Sequence, residues 1–294
     1  MQYNQLYRHI IDILTKAGND SPAFDAMCLF ENQFNMNRHS LIMQGDKEAP
    51  EKESEHLIQL ANKRATGYPL QYLIGKWDFM DCEFFVGDGV LIPREDTSVV
   101  VQLCIDNIKA MYGEKPQLKI LDLCAGSGAI SIALAKEFSE SDITALELSD
   151  KAMKYLTKNI LHNKCDNVKA VYGDVFKSYT DFAEDFDVII SNPPYIISDE
   201  IKTLQTEVQH EPTLALDGGT DGYDFYRAII NHWSEKLKNN GIFVFELGEG
   251  QYSTVEKLML EKGFTDIKCA YDIQEIKRGI SGVKMSGCKK IEIN

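Results

Sequence analysis

The sequence predicts an α/β protein: a parallel sheet covered by helices, preceded by a small helical domain. Three observations lead there. From Leu118 onward, short apolar runs alternate with amphipathic stretches. The first 67 or so residues carry the helical period instead. Between the two lies GYPLQYLIGKWDFMDCEFFVGDGVLIPRED, where aromatic and β-branched residues sit between glycines as in a hairpin or an extended linker.

In chain order, Leu6, Ile10, Ile11 and Leu14 fall on one helical face. Ser21-Pro22 starts a second helix, in which serine is expected to cap the orphan amides, proline fits the first turn and AFDAMCLFENQF supplies the apolar stripe. A third helix runs through EHLIQLANKRAT and stops at Gly67. The expected boundaries are a helical domain over 1–73, a hairpin or linker over 74–96 and a larger domain over 97–294. In the larger domain LKILDL, DITALE, NVKAVYG, FDVIIS and GIFVFEL read as strands, with helices after Gly128, Ser149, Gly222 and Gln251. Two further strand-like runs lie between Asp266 and Asn294.

With 294 residues and 44% hydrophobic content, the chain can bury a sizeable core. Its net charge is −14, and even the first 85 residues hold 8 Lys and Arg against 12 Asp and Glu. A protein gripping a phosphate backbone shows a clustered cationic face, so no direct nucleic-acid binding is expected. The seven cysteines form no CxxC pair, and their odd number argues against a disulfide or zinc framework. The six histidines show no HExxH spacing, so no metal site is expected. No apolar run approaches the roughly 20 residues that cross a bilayer, which makes cytoplasmic residence the expectation. Trp77 and Trp233 read as packing residues, and Glu246 and Glu249 as solvated acids after a strand end.

After LKILDL comes Cys124-Ala125-Gly126-Ser127-Gly128, opening a helix. Such a turn lets backbone approach a ligand where side chains would obstruct it. Glu147 ends the next strand, where a carboxylate can accept both hydroxyl hydrogens of a ribose. The glycine loop also suits an NAD enzyme or simple close packing of a helix, but Ser131 replaces the third glycine of the dinucleotide fingerprint. From Asp122 to Gly128 the loop resembles the first motif of the class I S-adenosylmethionine-dependent methyltransferases. That resemblance implies a Rossmann-like, mostly parallel seven-stranded sheet and S-adenosyl-L-methionine as cofactor. It further implies that Asp122, Cys124, Ala125, Gly126, Ser127, Gly128 and Glu147 bind it, with Asp174 accepting from the adenine amino group, Val175 walling the ring and Asn192 also at the cofactor.

Asn192-Pro193-Pro194-Tyr195 follows FDVIIS, at the same sheet edge as the glycine loop. Two prolines fix two φ angles and remove two donors, leaving a stiff array of acceptors. The lone pair of an amide or exocyclic amine is delocalised, so the nitrogen must be oriented before it can attack a sulfonium methyl group. If the Asn192 side-chain oxygen and the Pro193 carbonyl each accept one N–H, that lone pair is aimed. Tyr195 can stack on the planar group or exclude solvent. The tetrapeptide resembles that of amino-methyltransferases acting on glutamine in proteins or on adenine and cytosine in nucleic acids.

The segments Gly67 to Gly75 and Val90 to Thr97 narrow the resemblance to the HemK-type release-factor glutamine methyltransferases, as do Leu216 to Gly222, Glu246 to Gln251, and Asp272 with Arg278. Peptide chain release factors are the partner so implied, methylated on the side-chain amide nitrogen of the glutamine of their GGQ motif, with the helical domain helping to dock them, and a monomer is expected. Two departures stand out: Ser98 where the family usually carries glutamate, and Cys124 where glycine is common. Arg94 reads either as a domain-bridging ion-pair partner or as support for the cofactor site. Three rival readings stay open: a glutamine methyltransferase of a ribosomal protein, a nucleic-acid amino-methyltransferase, and a non-catalytic scaffold against which the intact tetrapeptide speaks.

Overall fold

In the computed structural model, which describes residues 1–183 and 185–285, five helices come first: α1 (Tyr3–Lys16), α2 (Pro22–Phe34), α3 (Arg38–Gln44), α4 (Glu51–Arg64) and α5 (Leu70–Ile74). The hairpin strands β1 (Lys76–Phe79) and β2 (Cys82–Phe85) follow, then α6 (Glu95–Tyr112). Next come β3 (Lys119–Leu123), α7 (Ala129–Glu137), β4 (Asp142–Glu147), α8 (Asp150–His162), β5 (Val168–Tyr172) and β6 (Phe186–Ser191). The chain continues through α9 (Thr206–Gln209), α10 (Asp224–His232), β7 (Leu237–Glu246), α11 (Tyr252–Glu261), β8 (Phe264–Tyr271) and β9 (Lys277–Lys284). It divides into two compact units, Met1–Trp77 with Leu204–His210, and Asp78–Thr203 with Glu211 onward.

In the helical unit, Leu6, Ile10 and Leu14 are fully buried and pack with Leu29, Phe30 and Leu57, while Ile11 is half-buried. The Ser21 side chain does not cap α2 as expected. Its N–H instead donates to Asn19 Oδ1 at 2.8 Å, and Pro22 at the first turn has no N–H to satisfy. Two helices fall where the pattern carries no long apolar stripe: α3, capped by Asn37 Oδ1 accepting the Ser40 N–H at 3.0 Å, and the five-residue α5, which lies in the presumed extended segment. Segment 204–210 belongs to this unit through Arg64, whose guanidinium binds Asp25 at 2.6 Å and Glu207 at 2.9 Å. The side chains of Arg64 and Asp25 are 11% and 7% exposed, so removing the cation strands a buried carboxylate. Arg64→Ala is expected to cost about 3 kcal/mol of stability in urea denaturation; a loss below about 1 kcal/mol would class the network with ordinary surface pairs.

The larger unit carries the seven-stranded sheet that the resemblance implies, in the order β5-β4-β3-β6-β7-β9-β8, with β9 alone running against the others. β3, β6 and the end of β7 are near-continuous buried runs, as befits strands covered on both faces. β7 starts earlier than GIFVFEL suggests, passing through Asn240 at φ 63°. α6 was not expected: Val100, Val101, Cys104, Ile105 and Ile108 are buried, but crowded apolar residues blur its stripe. Trp233 is fully buried and donates from Nε1 to the Val175 carbonyl at 2.8 Å. The expected tail strands are β8 and β9; Cys288 and its neighbours lie outside the described residues. The six described cysteines are free thiols. Among the described residues, no helix is long and apolar enough to cross a membrane.

Candidate active site

Leu146, Leu123, Ser191 and Phe245 are partners across β4, β3, β6 and β7. The residue after each, Glu147, Cys124, Asn192 and Glu246 respectively, therefore emerges at one carboxyl edge of the sheet. Chain order reverses between β3 and β6, and at such a switch point the connections diverge and leave a crevice. A cavity lies there, and Cys124, Ala125, Gly126, Ser127, Glu147, Asp174, Val175 and Asn192 all line it.

Asp122 and Gly128 do not line that cavity, contrary to expectation. Asp122 is fully buried, and its Oδ2 accepts from the Ser131 N–H at 3.1 Å and the Ser131 hydroxyl at 2.5 Å. Burial pushes its carboxyl up to about 7 against those hydrogen bonds. Asp122 thus ties β3 to the first turn of α7, which explains a serine where a dinucleotide fingerprint has glycine. Gly128 is a packing glycine: at φ 86°, a Cβ there would lie 2.6 Å from Leu156 Cδ1. Cys124 adopts φ 63°, a left-handed conformation that favours glycine and accounts for the family's usual residue there. Burial raises its thiol well above the ordinary range, which keeps it protonated.

Both oxygens of Glu147 accept backbone amides, from Gly126 and from Ser149, each at 2.7 Å. The acid therefore shapes the glycine loop as well as facing the cavity. Asp174 Oδ1 accepts the Phe176 N–H at 2.9 Å, and Lys177 lies 3.1 Å from Oδ2. Gly126 offers open space where a Cβ would project, the nearest atom being Cys124 O at 4.0 Å. Two carboxylates, a bare backbone turn and apolar walls from Ile130, Leu148, Val175 and Phe176 suit a nucleoside with vicinal hydroxyls and an exocyclic amine.

Of the tetrapeptide, Asn192 and Pro194 line this cavity and Pro193 and Tyr195 do not. The Ser191 hydroxyl donates to the Leu123 carbonyl at 2.7 Å, fastening the base of the loop to β3. Asn192 Nδ2 donates to Thr97 Oγ1 at 3.4 Å, and Thr97 Oγ1 donates to Glu246 Oε2 at 2.6 Å. Glu246 is only 2% exposed, which corrects its reading as a solvated acid. Its carboxyl is pushed up to about 7 by burial, against the pull of Thr97. The Tyr195 hydroxyl donates to Glu246 Oε1 at 3.5 Å, and burial raises this phenol well above its usual range. Gln251 Nε2 donates to the Tyr195 carbonyl at 3.0 Å and to the Gly222 carbonyl at 3.2 Å, while its Oε1 accepts from the Gly248 amide at 3.0 Å. A Cβ on Gly218 would lie 2.6 Å from Tyr195 Cα, so only glycine lets this segment pass the loop.

Arg94 pairs with Glu211 of its own unit, whose other oxygen accepts the Ile92 N–H at 3.0 Å. Burial raises the Glu211 carboxyl despite that cation. The stretch from Val90 to Arg94 forms a wall of the cavity, and Thr97 joins it. Ser98 does not line it; the hydroxyl donates to the Glu95 carbonyl at 2.6 Å. Sequence reasoning assigned no role to Thr97, Glu211 or Gln251. Thr97 and Gln251 lie inside motifs quoted for the resemblance, but their partners are distant in sequence.

Residues 5–75 match the PrmC N-terminal domain and residues 102–219 the methyltransferase small domain. The chain is 40% identical over 235 residues to the release factor glutamine methyltransferase of Thermodesulfovibrio yellowstonii, covering 79% of this chain and 83% of that one. It is 35% identical over 274 residues to the protein of the same name from Clostridium botulinum, covering 92% and 95%. The solved hMettl16 catalytic domain, in complex with MAT2A 3′UTR hairpin 1, aligns at TM-score 0.54 and 13% identity over 88% of this chain and 90% of that one, a likeness of fold alone. With two relatives this similar over most of its length, and a sheet of the class I methyltransferase type, the chain belongs to the release factor glutamine methyltransferase family.

Proposed function

We propose that this enzyme transfers a methyl group from S-adenosylmethionine to the side-chain amide nitrogen of the GGQ glutamine of peptide chain release factors. The observation that carries the reading is the placement of Asn192. Its amide nitrogen is engaged by Thr97 at 3.4 Å, so its oxygen is the end left to accept from a substrate beside a cavity suited to a nucleoside. Family membership supports the choice of glutamine, and the −14 net charge favours a protein over a nucleic acid as recipient. The helical unit, which exposes Phe24, Ile42 and Met43, serves as the docking element.

Bound S-adenosylmethionine supplies an electrophilic methyl group on its sulfonium. Glu147 would hold the ribose hydroxyls through the lone pairs that the Gly126 and Ser149 amides leave open. Asp174 would accept from the adenine amine, and Val175 would wall the ring. Asn192 Oδ1 and the Pro193 carbonyl each accept one N–H of the glutamine amide, aligning its nitrogen lone pair for in-line attack. No strong base is required, because the methylated nitrogen is acidic and sheds its proton to a carbonyl or to water. Tyr195 acts by bracing: its ring lies against Gly248, where a Cβ would come within 2.9 Å of Cδ2.

The test is transfer from labelled S-adenosylmethionine to a purified release factor, its GGQ-glutamine variant, ribosomal protein and DNA, with the label located by peptide mass. Label on the GGQ glutamine alone is expected. Label on ribosomal protein or DNA would replace the recipient, and no label anywhere would return the chain to a scaffold role.

A further inference from the structure

Asn192 can serve as an acceptor only if its amide holds one of its two flips, because its oxygen and nitrogen exchange places on rotation about χ2. We infer that Thr97 and Glu246 are a positioning pair that locks this flip, turning the Asn192 oxygen toward the substrate nitrogen. The inference rests on the methyl-transfer reading above.

Thr97 has a single hydroxyl hydrogen, which goes to Glu246 Oε2 at 2.6 Å. What it presents to Asn192 is therefore a lone pair, and Asn192 Nδ2 donates to it at 3.4 Å. Flipping the amide would set Oδ1 against the Thr97 lone pair, two acceptors facing one another, so that orientation is disfavoured. Thr97 is 4% exposed and Glu246 2% exposed, which leaves little room for water to relieve the mismatch. Glu246 is in turn held rigidly: it pairs with Gly279 across β7 and β9, and its carbonyl accepts the Tyr226 hydroxyl at 2.8 Å. The logic is that of a metal-bound histidine whose tautomer is set by the hydrogen bond at its other nitrogen.

Protonation of Glu246 would relax the lock, since a carboxylic acid can donate to Thr97 and free the threonine proton to turn toward Asn192. The charged and titratable groups facing it are Asp96 on α6, Arg278 on β9, Tyr195 in the loop after β6 and Tyr226 on α10. With the carboxyl raised to about 7, turnover should climb as pH rises through neutrality and level off once the carboxylate is formed.

The experiment measures kcat, the KM for release factor, the Kd for S-adenosylmethionine and the pH profile of kcat in the full chain and in Thr97→Val, Thr97→Ser and Glu246→Gln. Valine keeps the shape and removes the hydroxyl, so kcat should fall by about 10- to 100-fold with Kd for the cofactor unchanged. Serine should restore most of the rate, and Glu246→Gln should flatten the limb near neutrality. Full turnover in Thr97→Val, an equal loss of cofactor binding, or failure of serine to rescue would overturn the pair. A limb that survives Glu246→Gln would overturn the role of Glu246 and assign the titration to Asp122, whose carboxyl is also raised to about 7. Absence of transfer by the unsubstituted chain would overturn the methyl-transfer reading, and the pair with it. Normal transfer by that chain separates the two failures.

Discussion

Asn192→Ala should lower kcat by about 100- to 1,000-fold while leaving the Kd for S-adenosylmethionine within about threefold of its starting value. The substitution removes one of two acceptors that aim the amide lone pair, an interaction that matters most as the nitrogen begins to bond to carbon. Asn192 lies at the end of β6, fixed below by the Ser191–Leu123 hydrogen bond and beside by the Gln251–Tyr195 contact. Neither depends on the asparagine side chain, so loop and cavity should survive its loss. Single-turnover kinetics beside calorimetric cofactor binding would separate the two effects. Parallel losses in rate and binding would contradict an acceptor role for Asn192.

The mirror-image result is expected at Glu147. Glu147→Ala should weaken S-adenosylmethionine binding by about 100-fold or more, since hydrogen bonds to a charged group contribute about 1.5–3 kcal/mol each. With saturating cofactor, kcat should recover much of its value. Part of the loss is indirect, because the same carboxylate holds the Gly126 and Ser149 amides at 2.7 Å and so keeps the glycine loop in shape. Glu147→Gln isolates this contribution: it retains one acceptor oxygen but turns an amide donor toward a backbone donor. A cofactor Kd changed less than tenfold in Glu147→Ala would remove Glu147 from the binding site.

The two substitutions probe opposite sides of one crevice, and their contrast follows from the strand register. Glu147 and Asn192 each lie one residue beyond the last position at which β4 and β6 pair with β3, which runs between them. On the proposed reading, Glu147 at the end of β4 serves the cofactor and Asn192 beyond β6 serves the reacting nitrogen. Effects that add in the double variant would fit sites that do not share partners.

Much of this arrangement was legible in the sequence for a local reason. Apolar runs of strand length, a glycine loop opening a helix and a Pro-Pro turn are properties of consecutive residues, and consecutive residues are enough to specify them. Cys124 shows the limit of such reading. Its departure from the family's glycine was visible, but the left-handed φ of 63° that explains the glycine was not. α6 is not legible in the sequence because Val99, Val100 and Val101 crowd its stripe, and only packing against β7 and β9 shows which residues face inward.

By itself the sequence determined the alternation of strand and helix, the glycine loop, the Pro-Pro turn and the chemistry their residues can offer. The tertiary structure decided which of those residues reach the cavity and which support it. Asp122 and Gly128 moved from the binding surface to its foundations, and Glu246 from solvent to a buried anchor. Thr97 acquired its role from partners 95 and 149 residues away. The reason is physical: burial and hydrogen-bond direction depend on what the fold brings alongside a residue, and no spacing within one segment encodes the neighbour that a sheet supplies from another.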